Sequence, residues 1–491
     1  MLEVQGEPDR LDAFRSGEPW AGSVGDTLKV CRSKVGMPQN RVWYPGEKEV
    51  IPMGKSTYRS VEIQKVTAAQ ILAAVLTPLV IFALDVAKKR VLSAIADDTG
   101  KHALIVHFAL PTELGRLIAL AEQLVAAGRR VQIAMEPTGS YSSPILEAAH
   151  GASLETFLIS PKRAHDAAEV YDGVPSKHDP KDATILARLH AQGISTRWAP
   201  MSQERRELRA LMDERELYAA PLEEHFGRVE ARLAHWWPAL LQSTDVRQRI
   251  SVLRWLTTYA DPATVRAQPQ QATDALRALS RGTMAPKVIE AIVASAGQPS
   301  ATPMNAAERK MLTRLFEEVV RLHDKCAEVD ARIEEVTRAK ASWEPMRRML
   351  GATTLAALVA LVGDPSQYAS ASALEKACGL NLKESSSGER QGRGVHITKR
   401  GPAVVRRYLY MLALRMVGRQ ELVRAWYQRR RSFLAEDKLS AVVAVMRKLV
   451  RALWHVARGA PFDATKLFDV RRLGVVTALP ATRPEEVSAM A

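Results

Sequence analysis

The sequence predicts an α/β sheet domain in the first half of the chain and a mostly helical remainder. Three observations lead there. Apolar runs of strand length alternate with turn and helix signals between about residues 79 and 195. Apolar residues recur at spacings of three and four from 308 to 338, and basic helix-forming segments follow residue 397.

The first strand is the apolar run over 79–86, followed by a second over 90–96 (Arg-Val-Leu-Ser-Ala-Ile-Ala). Asp98-Thr99-Gly100 is a turn into a third strand over 103–109. Pro111-Thr112-Glu113 opens an amphipathic helix to about 127. A fourth strand covers 130–135, and Gly139 breaks the chain before a helix near 142–149. A fifth strand over 154–159 leads to helices near 161–171 and 180–192. Three antiparallel strands followed by alternating helices and strands is the ribonuclease-H-like order. Residues 66–84 carry no charge and reach membrane-spanning length. Gln70, Pro78, the alanine content and the direct run into Asp85 favour a short helix and a buried strand, so no membrane partner is expected.

On this pattern residues 1–75 are an irregular N-terminal extension rich in Gly, Pro and charge, and 76–196 the sheet domain. Residues 197–344 are helical, with Trp236-Trp237 and several prolines but no assignable chemistry between 200 and 300. Leu312, Leu315, Val319, Leu322, Cys326, Val329, Ile333 and Val336 form a heptad seam, either a coiled coil between copies or a bundle helix within one chain. Residues 345–460 form a second helical domain, and 461–491 a tail. Within it, Leu350-Gly351-Ala352-Thr353-Thr354 has the look of a helix-hairpin-helix turn, a device that offers backbone N–H groups to phosphates, with Thr353 in place of the second glycine.

A chain of 491 residues with 47% hydrophobic content supports two to four domains with real cores. The net charge is +15, and the stretch from Lys383 to Arg458 holds 18 Lys plus Arg against 5 Asp plus Glu. So localised an excess points to a nucleic-acid partner. Cys31, Cys326 and Cys378 are far apart, which argues against a zinc site or a disulfide framework and suits a reducing cytoplasm. No basic-then-apolar signal segment opens the sequence.

Four carboxylates carry the chemistry. Asp85 and Glu136 each end an apolar strand, and Asp179 and Asp182 stand three apart at a helix start. Gathered together they would repel unless a hard cation such as Mg²⁺, or Mn²⁺, neutralised them, and paired metals at oxygen ligands drive in-line attack at phosphate. Each has a plain alternative: a turn aspartate, a surface glutamate, and helix capping in Asp179-Pro180-Lys181-Asp182. A second constellation is the polar segment Ser385-Ser386-Ser387-Gly388, with Arg390, Arg393, Lys399, Arg400 and Arg406 available to bind phosphate. Its plain alternative is a Gly/Ser linker.

Ala-Leu-Asp-Val-Ala-Lys-Lys (83–89), Met-Glu-Pro-Thr-Gly-Ser-Tyr (135–141), His-Asp-Pro-Lys-Asp-Ala (178–183), Gly-Asp-Pro-Ser-Gln-Tyr (363–368), Ser-Gly (387–388) and Ile-Thr-Lys-Arg-Gly (397–401) together resemble the DEDD transposases of bacterial insertion sequences. That family includes bridge-RNA-guided serine recombinases and the related pilin-gene invertase. The resemblance covers roughly residues 80–195 and 345–455. It implies a RuvC-like domain whose Asp85, Glu136, Asp179 and Asp182 bind Mg²⁺, and a second domain whose serine attacks DNA. Ser387 matches that serine, with Ser385 and Ser386 as neighbouring registers. It also implies DNA ends and target as substrates, a noncoding guide RNA, a homodimer or tetramer with composite sites, and a cytoplasmic, nucleoid-associated location. Two departures stand out: about 75 residues precede the first catalytic strand, and the stretch 200–300 is unmatched.

The reading is a metal-dependent DNA transposase of an insertion sequence. A Holliday-junction-type nuclease using the carboxylates and water, a site-specific DNA invertase, and a non-enzymatic nucleic-acid-binding protein are the rivals.

Overall fold

The computed structural model describes residues 59–168, 179–298, 303–383, 396–433 and 437–468. The chain divides into two compact units between Met201 and Ser202.

The first unit is a mixed seven-stranded sheet in the order β1-β4-β3-β2-β5-β6-β7. Strands β2 (Leu79–Val86), β3 (Arg90–Ala96) and β4 (His102–Ala109) form the expected antiparallel meander. β5 (Arg130–Met135) pairs parallel to β2, and β6 (Glu155–Leu158) parallel to β5. β7 (Thr196–Arg197) closes one edge, antiparallel to β6. At the other edge β1 (Val61–Glu62) runs parallel to β4. Between these strands lie α1 (Ala68–Ala74), α2 (Leu114–Ala126), α3 (Ser143–Gly151), α4 (Pro161–Ala167) and α5 (Asp179–Ala191). The mixed α/β architecture is therefore as expected.

The expected start of this domain at residue 76 is too late. β1 is hydrogen-bonded into the sheet, and Ile63, Val66, Ile71 and Val75 are buried in its core. A two-residue strand and a two-turn helix are too short to show a period, so residues 61–75 read as irregular. Residues 66–84 hold α1, its start fixed by a Thr67/Gln70 capping box, and then β2. Among the described residues no helix is long and apolar enough to cross a membrane.

Strand alternation sends side chains to two covered faces, which is why the strand runs are continuously apolar. Val80, Phe82 and Leu84 of β2 pack with Leu117, Leu120 and Leu124 of α2 and with Ile145 of α3. On the other face Ile81 and Ala83 meet Ala134 of β5 and Ala183, Leu186 and Ala187 of α5. So many alanines let α5 lie close against the sheet.

The second unit is helical. α6 (Gln203–Trp236) is followed by five short helices, α7 (Pro238–Ser243), α8 (Ile250–Leu256), α9 (Pro262–Ala267), α10 (Pro269–Ser280) and α11 (Pro286–Ser295), and then by α12 (Ala306–Ala339). α6 and α12 pair as an antiparallel hairpin, with Arg215–Asp330 at 2.7 Å and Arg332–Glu214 at 3.2 Å across it. The heptad seam is spent inside the chain: Leu312, Phe316, Val319, Leu322, Cys326, Val329 and Ile333 are all buried. Phe316 takes the core position expected for Leu315, which is only partly buried, as is Val336. Of the two readings of the seam, the structure takes the intramolecular bundle. The short helices α7–α11 wrap one end around Trp236, Trp237 and Trp255.

At the other end lie α13 (Glu344–Leu350), α14 (Ala352–Leu361), α15 (Ala371–Ala377), α16 (Ala403–Arg419), α17 (Glu421–Phe433) and α18 (Lys438–Val456). α14 is the buried spine, with Thr354 through Ala360 all in the core. Gly351, at φ 81°, makes the tight link between α13 and α14. Thr353, in the register of the second glycine of a hairpin, donates its hydroxyl to Asp330 at 3.1 Å. The hairpin is tied to α16 through Arg215, which donates to both Asp330 oxygens and to the Tyr408 hydroxyl at 2.8 Å.

Glu375 on α15 is 2% exposed and accepts from Arg447 and Arg451 of α18, each at 2.6 Å. Removing one member of a buried charge group leaves the others uncompensated. Because Arg451 keeps about half of its side chain in solvent and Arg447 a quarter, Glu375→Ala is expected to cost less than breaking a fully buried pair, about 1–3 kcal/mol, read as a lowered midpoint in denaturant unfolding. Cys378 is buried beside it, and burial pushes its thiol up to about 12, far from a nucleophilic thiolate.

Candidate active site

The parallel pairing of β2 with β5 sets the first half of the site. Leu84 stands opposite Met135, the last paired residues in that register. Asp85 and Glu136 are the next residue on each strand, side by side at the carboxyl ends of neighbouring parallel strands. By alternation both belong to the α5 face, following Ile81 and Ala83 on one strand and Gln132 and Ala134 on the other. Both are half-buried. In open α/β sheets this end and face is where ligands gather.

The second half comes from α5, which runs antiparallel to β2 and β5. Two contacts fix that direction. Near its end, His190 bonds Gln132, which stands early in β5. Gly100, in the turn after β3, lies against Ala187 and Arg188 so tightly that a Cβ there would sit 2.6 Å from the Arg188 Cα. The start of α5 therefore lies toward the ends of β2 and β5. Asp182 shares a stripe with Leu186 and Leu189, both buried against the sheet. Asp179 opens the helix.

The structure thus brings Asp85, Glu136 and Asp182 to one end of one face. Among the described residues no three His, Cys, Asp or Glu side chains already stand as a metal-holding group. The side chain of Asp179 lies outside the described residues. These candidate groups are all carboxylates, a chemistry that suits hard divalent cations.

The serine constellation is described only at its base. Ser385, Ser386, Ser387, Arg390 and Arg393 lie outside the described residues. Either side of them, β8 (Leu382–Lys383) and β9 (His396–Ile397) pair antiparallel. Below this pairing two glycines interlock. A Cβ on Gly401 would fall 2.5 Å from the Ala377 carbonyl, and one on Gly379 2.9 Å from the Gly401 nitrogen. Lys399, in the left-handed region at φ 54°, donates its N–H to Gly379 O at 3.0 Å. Lys399 and Arg400 are exposed at this base. Arg406 is half-buried and donates to the Gly401 carbonyl at 2.6 Å, so it braces the turn.

Sequence reasoning missed Gln132 and His190. A glutamine on the core-facing parity of an apolar strand, and a histidine eight residues after Asp182, were the available signals. Gln132 donates to Glu155 at 2.8 Å, while His190 holds Ser195 at 2.8 Å and Gln132 at 2.9 Å. Burial lowers the His190 pKa, against a smaller opposing pull from Glu155, so the ring is neutral.

Two family models match the chain: a DEDD transposase model over residues 82–238 and one for the IS116/IS110/IS902 transposase family over residues 349–428. The first reaches well past residue 200 and the second begins at 349, so the unmatched middle is residues 239–348 and not the expected 200–300. An uncharacterized 43.6 kDa protein of insertion element IS110 from Streptomyces coelicolor is 23% identical over 364 residues, 73% of this chain and 89% of that protein. The two matches fall on the sheet unit running into α6 and on the helices around the Gly379–Gly401 clasp. The chain belongs to the DEDD transposase family of IS110-type insertion elements, enzymes that cut DNA and transfer its strands.

Proposed function

We propose that this transposase cuts and exchanges the DNA strands of its element with two sets of groups. Asp85, Glu136, Asp179 and Asp182 would hold Mg²⁺ or Mn²⁺. The observation that carries this is the placement of Asp85 and Glu136 one residue beyond the Leu84–Met135 pair, with Asp182 on the helix above that face. When bound, such a cation polarises a phosphoryl oxygen and neutralises developing charge. The protein's own part would be to converge the carboxylates from two strand ends and the start of α5.

Ser387, with Ser385 and Ser386 as adjacent registers, is the proposed nucleophile. Its Oγ would bond to the phosphorus as its proton leaves to a base, and the displaced DNA oxygen would take up a proton. The phosphodiester would then be kept as a phosphoserine ester, ready for rejoining. Arg390, Arg393, Lys399 and Arg400 would steady the phosphate, while Arg406 shapes the turn beneath them. The basic C-terminal helices support a noncoding guide RNA as a further partner, and assembly into a dimer or tetramer completes the reading. The work would be done on DNA in the cytoplasm, at the nucleoid.

The test is covalent trapping. Protein with its co-purified RNA is incubated with labelled element-end DNA and Mg²⁺, then run on a denaturing gel. The expected result is a protein-linked DNA band that is absent in Ser387→Ala. Loss in Ser385→Ala or Ser386→Ala instead would move the nucleophile. Nicked DNA without a linked band would make the enzyme a hydrolytic nuclease.

A further inference from the structure

We propose that the buried Gln132–His190 pair is a positioning device that sets how far α5 lies along the sheet, and so the depth at which Asp182 meets Asp85 and Glu136. The inference rests on the metal-site reading above.

The hydrogen-bond directions are fixed from one end. Glu155 accepts from Arg130 at 2.7 and 2.9 Å and from the Gln132 amide nitrogen at 2.8 Å. An ionised carboxylate only accepts, so the Gln132 nitrogen faces it and the Gln132 oxygen faces His190. That oxygen must accept a hydrogen bond from His190 Nε2–H, 2.9 Å away. His190 Nδ1 then accepts from the Ser195 hydroxyl at 2.8 Å. Each donor meets an acceptor in a dry setting, since Gln132 is 7% and His190 8% exposed. A shift of α5 by one residue would break this chain and leave buried polar groups unpaired.

The spacing shows what the pair controls. Glu136 lies four residues beyond Gln132 along β5, about 13 Å of strand. Asp182 lies eight residues before His190 along α5, about 12 Å of helix. Because helix and strand run in opposite directions, equal lengths bring Asp182 level with Glu136, and with Asp85 beside it. The alanine-lined face between them offers smooth packing that would by itself allow sliding. The polar pair supplies the register that small apolar contacts lack. Gly100 against Ala187 and Arg188 is a close backbone contact that limits how near the turn after β3 and α5 can approach.

The experiment measures Mn²⁺ binding to the full-length protein by electron paramagnetic resonance, alongside thermal unfolding. His190→Phe keeps a ring of similar size without the donor, and Gln132→Met keeps volume without the amide. Both are expected to weaken Mn²⁺ binding about tenfold or more, as loss of supporting partners does at metal sites. His190→Gln retains a donor near the Nε2 position and is expected to restore most of the affinity. Leu124→Ala, in the core on the opposite sheet face, is expected to lower the melting temperature with affinity unchanged. Phe and Met variants that bind Mn²⁺ as the parent does, at a temperature where all remain folded, would overturn the proposal. Equal weakening in Leu124→Ala would also overturn it, since general destabilisation would then suffice. A parent protein that binds no Mn²⁺ would instead refute the metal-site reading itself.

Discussion

Asp85→Asn abolishes DNA strand cleavage while leaving the sheet unit folded: that is the first expected result. Asp85 stands at the end of a central strand, hydrogen-bonded on both sides by β3 and β5, so a change of oxygen to nitrogen there alters charge and hardly alters shape. A divalent cation contributes several kcal/mol of transition-state stabilisation at phosphate. At 1.36 kcal/mol per tenfold, the loss is expected to be roughly a thousandfold or more in the cleavage rate. Stability gives a second reading of the same variant. In the parent, Mg²⁺ at a hundred times its dissociation constant would raise stability by about 2.7 kcal/mol. Asp85→Asn is expected to lose most of that Mg²⁺-dependent rise in melting temperature, while melting in chelator at or above the parent's temperature because one of several converging negative charges is gone. A variant that cleaves at the parent rate would remove Asp85 from the site.

The second large effect is at the glycine clasp beneath the serine segment. Gly379→Ala places a methyl group at φ +71°, a conformation L side chains rarely adopt, and 2.9 Å from the Gly401 nitrogen. The left-handed backbone costs about 1–3 kcal/mol, and overpacking against backbone adds about 1–3 kcal/mol more. The expected loss is therefore about 2–6 kcal/mol in denaturant unfolding. Gly401→Ala meets the Ala377 carbonyl at 2.5 Å and is expected to act in the same direction. Because β8 and β9 emerge from this clasp, both variants are expected to reduce the covalent DNA adduct even at temperatures where the protein stays folded. Gly418→Ala is the control: it lies in α16 and its added methyl meets nothing within 4 Å, so it should be neutral or slightly stabilising.

Periodicity carried much of the fold. The strands over 79–86, 90–96 and 130–135 are sharply bounded because both their faces are covered and their ends meet turns or helix caps. Short elements escaped. β1 and α1 bury Ile63, Val66, Ile71 and Val75, four residues too widely spaced to declare a period. The long seam was plain as a helix, but a heptad does not say which partner it meets. The shared core of Leu208 and Leu211 with Val329 and Ile333, and the pairing of Arg215 with Asp330 and Arg332 with Glu214, show that the partner is α6 of the same chain. Phe316 rather than Leu315 is fully buried, a choice that two adjacent apolar positions leave open in the sequence.

For the site, Asp85 and Glu136 stood out because carboxylates at the ends of apolar strands are costly without a purpose. Their adjacency was not legible, since strand order and register are long-range properties. The same holds for Gln132 and His190, whose partnership spans 58 residues. Arg406 lies in a basic stretch and reads as a phosphate ligand; the sequence did not show that its guanidinium also donates to the Gly401 carbonyl.

Anomalous diffraction from crystals of the protein soaked in Mn²⁺ tests the central claim most directly. The account predicts a Mn²⁺ peak at the carboxyl ends of β2 and β5, with Asp85, Glu136 and Asp182 oxygens about 2.0–2.6 Å from the metal. No peak at that end of the sheet, together with strong Mn²⁺ peaks elsewhere in the same crystal, would contradict it.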